Sequence, residues 1–94
     1  LLADPNLRAQ DIDLFEIHEA FAATVVKTRQ VLGIDDSRLN VNGGVIALGH
    51  PMGATGAIMT GTLIDELHRQ QLAHGIVAAS GAAGSGSALL LERY

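Results

Sequence analysis

From Asp11 to His18 polar and apolar residues alternate with one interruption. In Asp11-Ile12-Asp13-Leu14-Phe15-Glu16-Ile17-His18, the side chains of Ile12, Leu14 and Ile17 alternate with polar ones, and only Phe15 breaks the pattern. That period predicts a half-buried strand. The spacing then changes. Phe21, Val25, Thr28 and Leu32 stand at i, i+4, i+7 and i+11, on one face of a helix over 19–32, with Gly33 as its stop. A polar turn over 35–39 follows. From Gly53 to about Gln71 a second helix is expected. Its first half, through Ile64, is nearly all small or apolar, which predicts burial around most of its girth. Its second half is polar, and Asp65 is placed to pair with Arg69 one turn on. Gly75 to Ala79 is a short apolar strand, 80–86 a glycine–alanine turn, and Ser87 to Leu91 a last strand.

The order strand, helix, loop, helix, strand, strand predicts an α/β fold with a mixed sheet that ends in a β-hairpin. Three strands make a small sheet, so further strands are expected upstream. Leu1 to Gln10 reads as the tail of a helix or loop, as though cut from a longer chain.

Composition narrows the class. Ninety-four residues, eleven of them glycine and few of them aromatic, leave a thin stability margin and suit close backbone packing against a larger body. The formal charge of −4, with scattered basic residues, gives no nucleic-acid footprint or basic membrane arm. No apolar run approaches the roughly 20 residues of a membrane span, and no signal-peptide pattern is present. The absence of cysteine excludes disulfides and fits a reducing compartment. The expected location is the cytoplasm, or an organelle matrix in a eukaryote.

The chemistry concentrates in Asn40-Val41-Asn42-Gly43-Gly44-Val45-Ile46-Ala47-Leu48-Gly49-His50-Pro51-Met52-Gly53-Ala54-Thr55-Gly56. Glycines there let backbone or a ligand come close. His50 stands before the expected helix, whose positive N-terminal end disfavours imidazolium. A neutral imidazole can donate an N–H to a developing oxyanion. Against this stands a histidine packed in a glycine-rich turn for geometry alone. A phosphate cradle lacks the lysine of a P-loop, and Gly81 to Gly86 lacks the following helix of a dinucleotide loop. His18, His50, His68 and His74 show no metal-ligand spacing, so no metal is expected, and His68 and His74 read as solvated surface.

The stretch from Asn40 to Gly56 resembles the thiolase signature N-x-x-G-G-x-[LIVM]-[SAG]-x-G-H-P-x-[GAS]-x-[ST]-G at every fixed position. His18-Glu19-Ala20-Phe21-Ala22 resembles the family's N-E-A-F-A element, with His for Asn, a form similar to some degradative 3-ketoacyl-CoA thiolases. Gly75 to Ala88 resembles the terminal signature centred on C-x-G-G-G-x-G. The likeness covers essentially the whole chain and implies a thiolase-like fold, with residues 1–94 an incomplete C-terminal domain whose N-terminal half is absent.

The resemblance also implies roles. His50 takes the place of the histidine that activates the family's nucleophilic cysteine, and His18 that of the residue helping to bind the same oxyanion. Ser80 stands where the family has its acid/base cysteine, and the backbone N–H of Ala82 falls at a second oxyanion hole. Glu19 is expected at a helix start, against the dipole. The substrate implied is a coenzyme A thioester, 3-ketoacyl-CoA or acetyl-CoA, with no bound cofactor. The implied partners are the rest of a thiolase chain or a partner subunit, in a homo-oligomer. A serine hydroxyl is a far weaker acid than a thiol of pKa about 8.5. Ser80 therefore leaves three readings open: an inactive replacement, a related reaction without α-proton transfer, or a serine nucleophile, for which the G-x-S-x-G context is missing. Two functions remain: part of an acyl-CoA acyltransferase that is inactive as an isolated chain, or a non-catalytic acyl-CoA-binding or assembly module.

Overall fold

A computed structural model describes residues 8–80 and 85–94. Three strands form one sheet in the order β1 (Leu14–Ile17), β2 (His74–Ser80), β3 (Gly86–Glu92). β1 runs parallel to β2 and β3 antiparallel to it, so the sheet is mixed and ends in the expected antiparallel pair. Three α-helices stand between β1 and β2: α1 (Ala22–Leu32), the single turn α2 (Val45–Leu48) and α3 (Thr55–Gln70).

β1 is buried at all four positions rather than half-buried. Alternation sends Leu14 and Glu16 to one face of the sheet and Phe15 and Ile17 to the other, and both faces are covered. On the first, Leu14 and Val77 pack with Met59, Leu63 and Leu67 of α3. On the second, Phe15, Ile17 and Ile76 pack with Ile12 and Ile34, flanked by Val25 and Leu32 of α1. Burying each such side chain contributes roughly 1.5–3 kcal/mol. Gly75 lets α3 lie close, since a Cβ there would come within 2.8 Å of Leu63.

The helices differ from the sequence expectation at their ends and faces. α1 starts at Ala22, because Phe21 is extended (φ −142°) and 74% exposed instead of lying on the inner face. α3 starts at Thr55 rather than Gly53, and only Thr55, Met59, Leu63, Glu66 and Leu67 are buried. Ile58 and Ile64 remain exposed, so its girth is apolar without being covered by the described residues. Arg69 pairs with Glu66 rather than Asp65, because Glu66 is buried beside it while Asp65 faces outward.

Gly33 ends α1 as expected, in the left-handed region at φ 67°. A Cβ there meets nothing within 4 Å, so only the backbone resists a larger residue. Gly33→Ala is expected to cost about 1 kcal/mol, read as a lower urea midpoint; an unchanged midpoint would show that this helix end does not depend on the glycine.

Candidate functional site

His18 immediately follows β1, and its N–H donates to the Ala78 carbonyl at 2.9 Å. Its register continues that of Glu16, on the α3 face of the sheet, and its side chain is buried. His50 lies in the loop between α2 and α3. The two rings meet with centroids 4.5 Å apart, tilted by 55°. Together they line a cleft of about 510 Å³, with Met52, Met59, Thr55 and Leu89 among its other walls.

Thr55 orients the His50 ring. Its hydroxyl donates to the Pro51 carbonyl at 3.1 Å and lies 2.7 Å from His50 Nδ1. A hydroxyl has one proton. With that proton on Pro51, Nδ1–H of the neutral ring donates to Thr55 and Nε2 keeps its lone pair. With that proton on His50 Nδ1 instead, the neutral ring carries its N–H at Nε2, so the Thr55 hydroxyl sets which nitrogen faces the cleft as donor. Thr55 is the first residue of α3, so the His50 ring is hydrogen-bonded to the start of that helix. Pro51 serves the run-in by accepting the N–H groups of Ala54 and Thr55 at 2.8 and 3.0 Å.

The glycine-rich loop is anchored at both ends. Gly43 turns the chain at φ 84°. Asn42 Nδ2 donates to Glu66 Oε2 at 3.1 Å. Arg69, then Gln70, then Asn42 hydrogen-bond the Glu66 carboxylate and hold its pKa down at about 2. Loop and helix are thereby tied through an acceptor that stays ionised.

The structure brings His18 and His50 together and places Ser80 elsewhere. Ser80 ends β2 on the opposite face, where it lines a groove with Phe15, Ile17, Thr24 and Thr28. Ala82 lies outside the described residues. Glu19 does not sit at the start of α1. Its carboxylate accepts Ile46 N–H at 3.2 Å, at the start of α2, and Asn40 Nδ2 at 3.1 Å. His68 is exposed, while His74 is half-buried and 3.6 Å from Glu92. Thr55 was legible as the [ST] position of the signature. The single turn α2 carries too few residues to show a period.

The whole arrangement has close counterparts. A family model described as the thiolase C-terminal domain matches residues 1–93. A peroxisomal 3-ketoacyl-CoA thiolase of Arabidopsis thaliana is 47% identical over 90 residues, which is 94% of this chain and 20% of that protein. The structure of a Bacillus anthracis acetyl-CoA acetyltransferase superposes with a TM-score of 0.90 at 43% identity, covering 97% of this chain and 23% of the other. Human mitochondrial 3-ketoacyl-CoA thiolase, solved in complex with CoA, superposes with a TM-score of 0.93 at 38% identity, covering 99% and 24%. The chain therefore spans about a fifth of the length of the curated relatives it matches.

Proposed function

The chain belongs to the thiolase family, and on that premise we propose that it carries the histidine side of an acyl-transfer site for coenzyme A thioesters. The observation that supports this best is the contact between His18 and His50 in one cleft, with the His50 ring oriented by Thr55. In this reading residues 1–94 are the C-terminal part of a two-part site. They hold no cysteine, so the nucleophilic thiol comes from the rest of the protein or from a partner subunit. His50 Nε2 takes the thiol proton, and the thiolate adds to the substrate carbonyl. The imidazolium then directs the new Nε2–H, with His18 beside it, at the oxygen on which negative charge develops. That donor is strongest when charge is present, which favours the transition state over the ground state. Met52, Met59 and Leu89 give the cleft apolar walls suited to the acyl portion of a thioester.

Position 80 decides between acyl transfer and binding alone. Cleaving a 3-ketoacyl thioester expels an enolate that needs a proton. A thiol at position 80 supplies it far more readily than a serine hydroxyl. Ser80 and its place on the opposite groove favour the second reading, a module that binds or assembles without catalysis. The test is acetoacetyl-CoA thiolysis by the protein at its full natural length, with Ser80 and with Ser80→Cys. We expect the cysteine variant to gain at least about tenfold and the 94-residue stretch alone to show no turnover. No turnover by either form, with CoA-thioester binding unchanged, would replace acyl transfer with the binding reading; equal turnover by both would keep acyl transfer and remove position 80 from it. Peroxisomal and mitochondrial relatives fit a location in an organelle matrix, and a bacterial one fits the cytoplasm. Among the described residues no helix is long and apolar enough to cross a membrane.

A further inference from the structure

Asn40 has a left-handed backbone, φ 46°, a conformation that asparagine tolerates better than most residues. Its backbone N–H donates to the Phe15 carbonyl at 2.8 Å. Its side-chain Oδ1 accepts Ile17 N–H at 2.7 Å, and Nδ2 donates to the Ile17 carbonyl at 3.0 Å. One residue thus continues the ladder along the outer edge of β1, its amide standing in for the backbone of a further strand. The second Nδ2 hydrogen reaches Glu19 Oε2 at 3.1 Å. The other Glu19 oxygen accepts Ile46 N–H. Gly44 makes room for this carboxylate, since a Cβ there would lie 2.4 Å from Glu19 Oε1.

These bonds form a chain from Ile17 through Asn40 and Glu19 to Ile46. They grip the residues on both sides of His18 and the short helix that leads into His50. We propose that Asn40, acting through Glu19, is the positioning residue that holds His18 and His50 in contact. This rests on the acyl-transfer reading only for its catalytic consequence. The pattern of groups explains the residue type. The site needs one acceptor, for Ile17 N–H, and two donors, for the Ile17 carbonyl and Glu19. Asparagine has that set at that length. Aspartate has the same shape and a similar tolerance of positive φ, but it would set a carboxylate against a carbonyl and a second carboxylate. The H-E-A-F and N-x-x-G-G elements are accordingly two halves of one clamp: the first contributes Glu19, and the second contributes Asn40 and the space at Gly44.

The test uses the full-length protein with isotope-labelled histidine and follows the NOE between the His18 and His50 rings. Core contacts between Phe15 and Ile76 serve as the measure of fold. In Asn40→Asp the inter-ring NOE is expected to vanish while the core contacts persist, and Glu19→Gln in the same chain is expected to restore part of it by donating to the new carboxylate. An inter-ring NOE that survives with the core intact overturns the proposal. If Asn40→Asp does not fold, Gly44→Ala displaces Glu19 from the other side, where φ is −144° and a Cβ is tolerated by the backbone. Loss of the NOE in that variant supports the clamp, and its retention refutes it. The NOE does not depend on turnover. Its loss in a protein whose parent shows no acyl transfer would uphold the clamp and discard the catalytic reading instead.

Discussion

His50→Ala is expected to lower acyl transfer by the full-length protein by about a hundred- to ten-thousand-fold, the usual contribution of a positioned general base, with little change in stability. The two halves of this result have separate causes. His50 is exposed, and among the described residues its side-chain hydrogen bond is to Thr55. Thr55 still has the Pro51 carbonyl as partner after truncation, so no buried group is orphaned and the stability change should stay within about 0.5 kcal/mol. In the proposed acyl-transfer reading, removing the ring takes away both the acceptor for the thiol proton and the cation that faces the oxyanion. The loss should fall on kcat, because both interactions grow as charge develops. Thiolysis kinetics together with thermal unfolding would measure this. A rise in KM at unchanged kcat would assign His50 to binding and remove it from the chemistry.

Glu16→Gln is expected to stabilise the protein by about 3 kcal/mol at about pH 8 and by little at about pH 4. Glu16 is 5% exposed, on the α3 face of β1 between Gly44, Thr55 and Met59. Burial, and secondarily the charge of Glu19, push its pKa from 4.5 up to about 7. The folded pKa lies above the unfolded one. Between them the native state keeps a proton that the unfolded state has released, so stability falls as pH rises from 4.5 to about 7 and stays low above. A rise from 4.5 to about 7 costs the folded protein about 3 kcal/mol once the group is ionised, at roughly 1.4 kcal/mol for each tenfold change in proton affinity. Glutamine has the shape of the protonated acid and no charge to desolvate. Urea unfolding of both proteins across this range should give curves that diverge upward through the window. Parallel curves would show that Glu16 ionises at no cost in the folded state.

Local pattern was enough for several features of this protein. The period-2 run around Leu14 marked β1, the glycine at 33 marked the end of α1, and the seventeen residues from Asn40 to Gly56 carried the family on residue types that their chemistry demands. Each of these depends on neighbours within a few positions, which a sequence displays directly. Tertiary structure alone decided the rest. β1 is fully buried because α3 covers one of its faces and Ile12, Ile34 and partly buried residues of α1 the other, a fact about residues far along the chain. Arg69 chose Glu66 over Asp65 because only one of them turns inward beside Asn42. Glu19 bonds Asn40 and the start of α2 instead of its own helix, and both partners lie more than twenty residues along the chain. The meeting of His18 with His50 has the same origin. Side-chain hydrogen bonds between remote residues carry no periodicity, so their partners emerge only when the sheet has set the register.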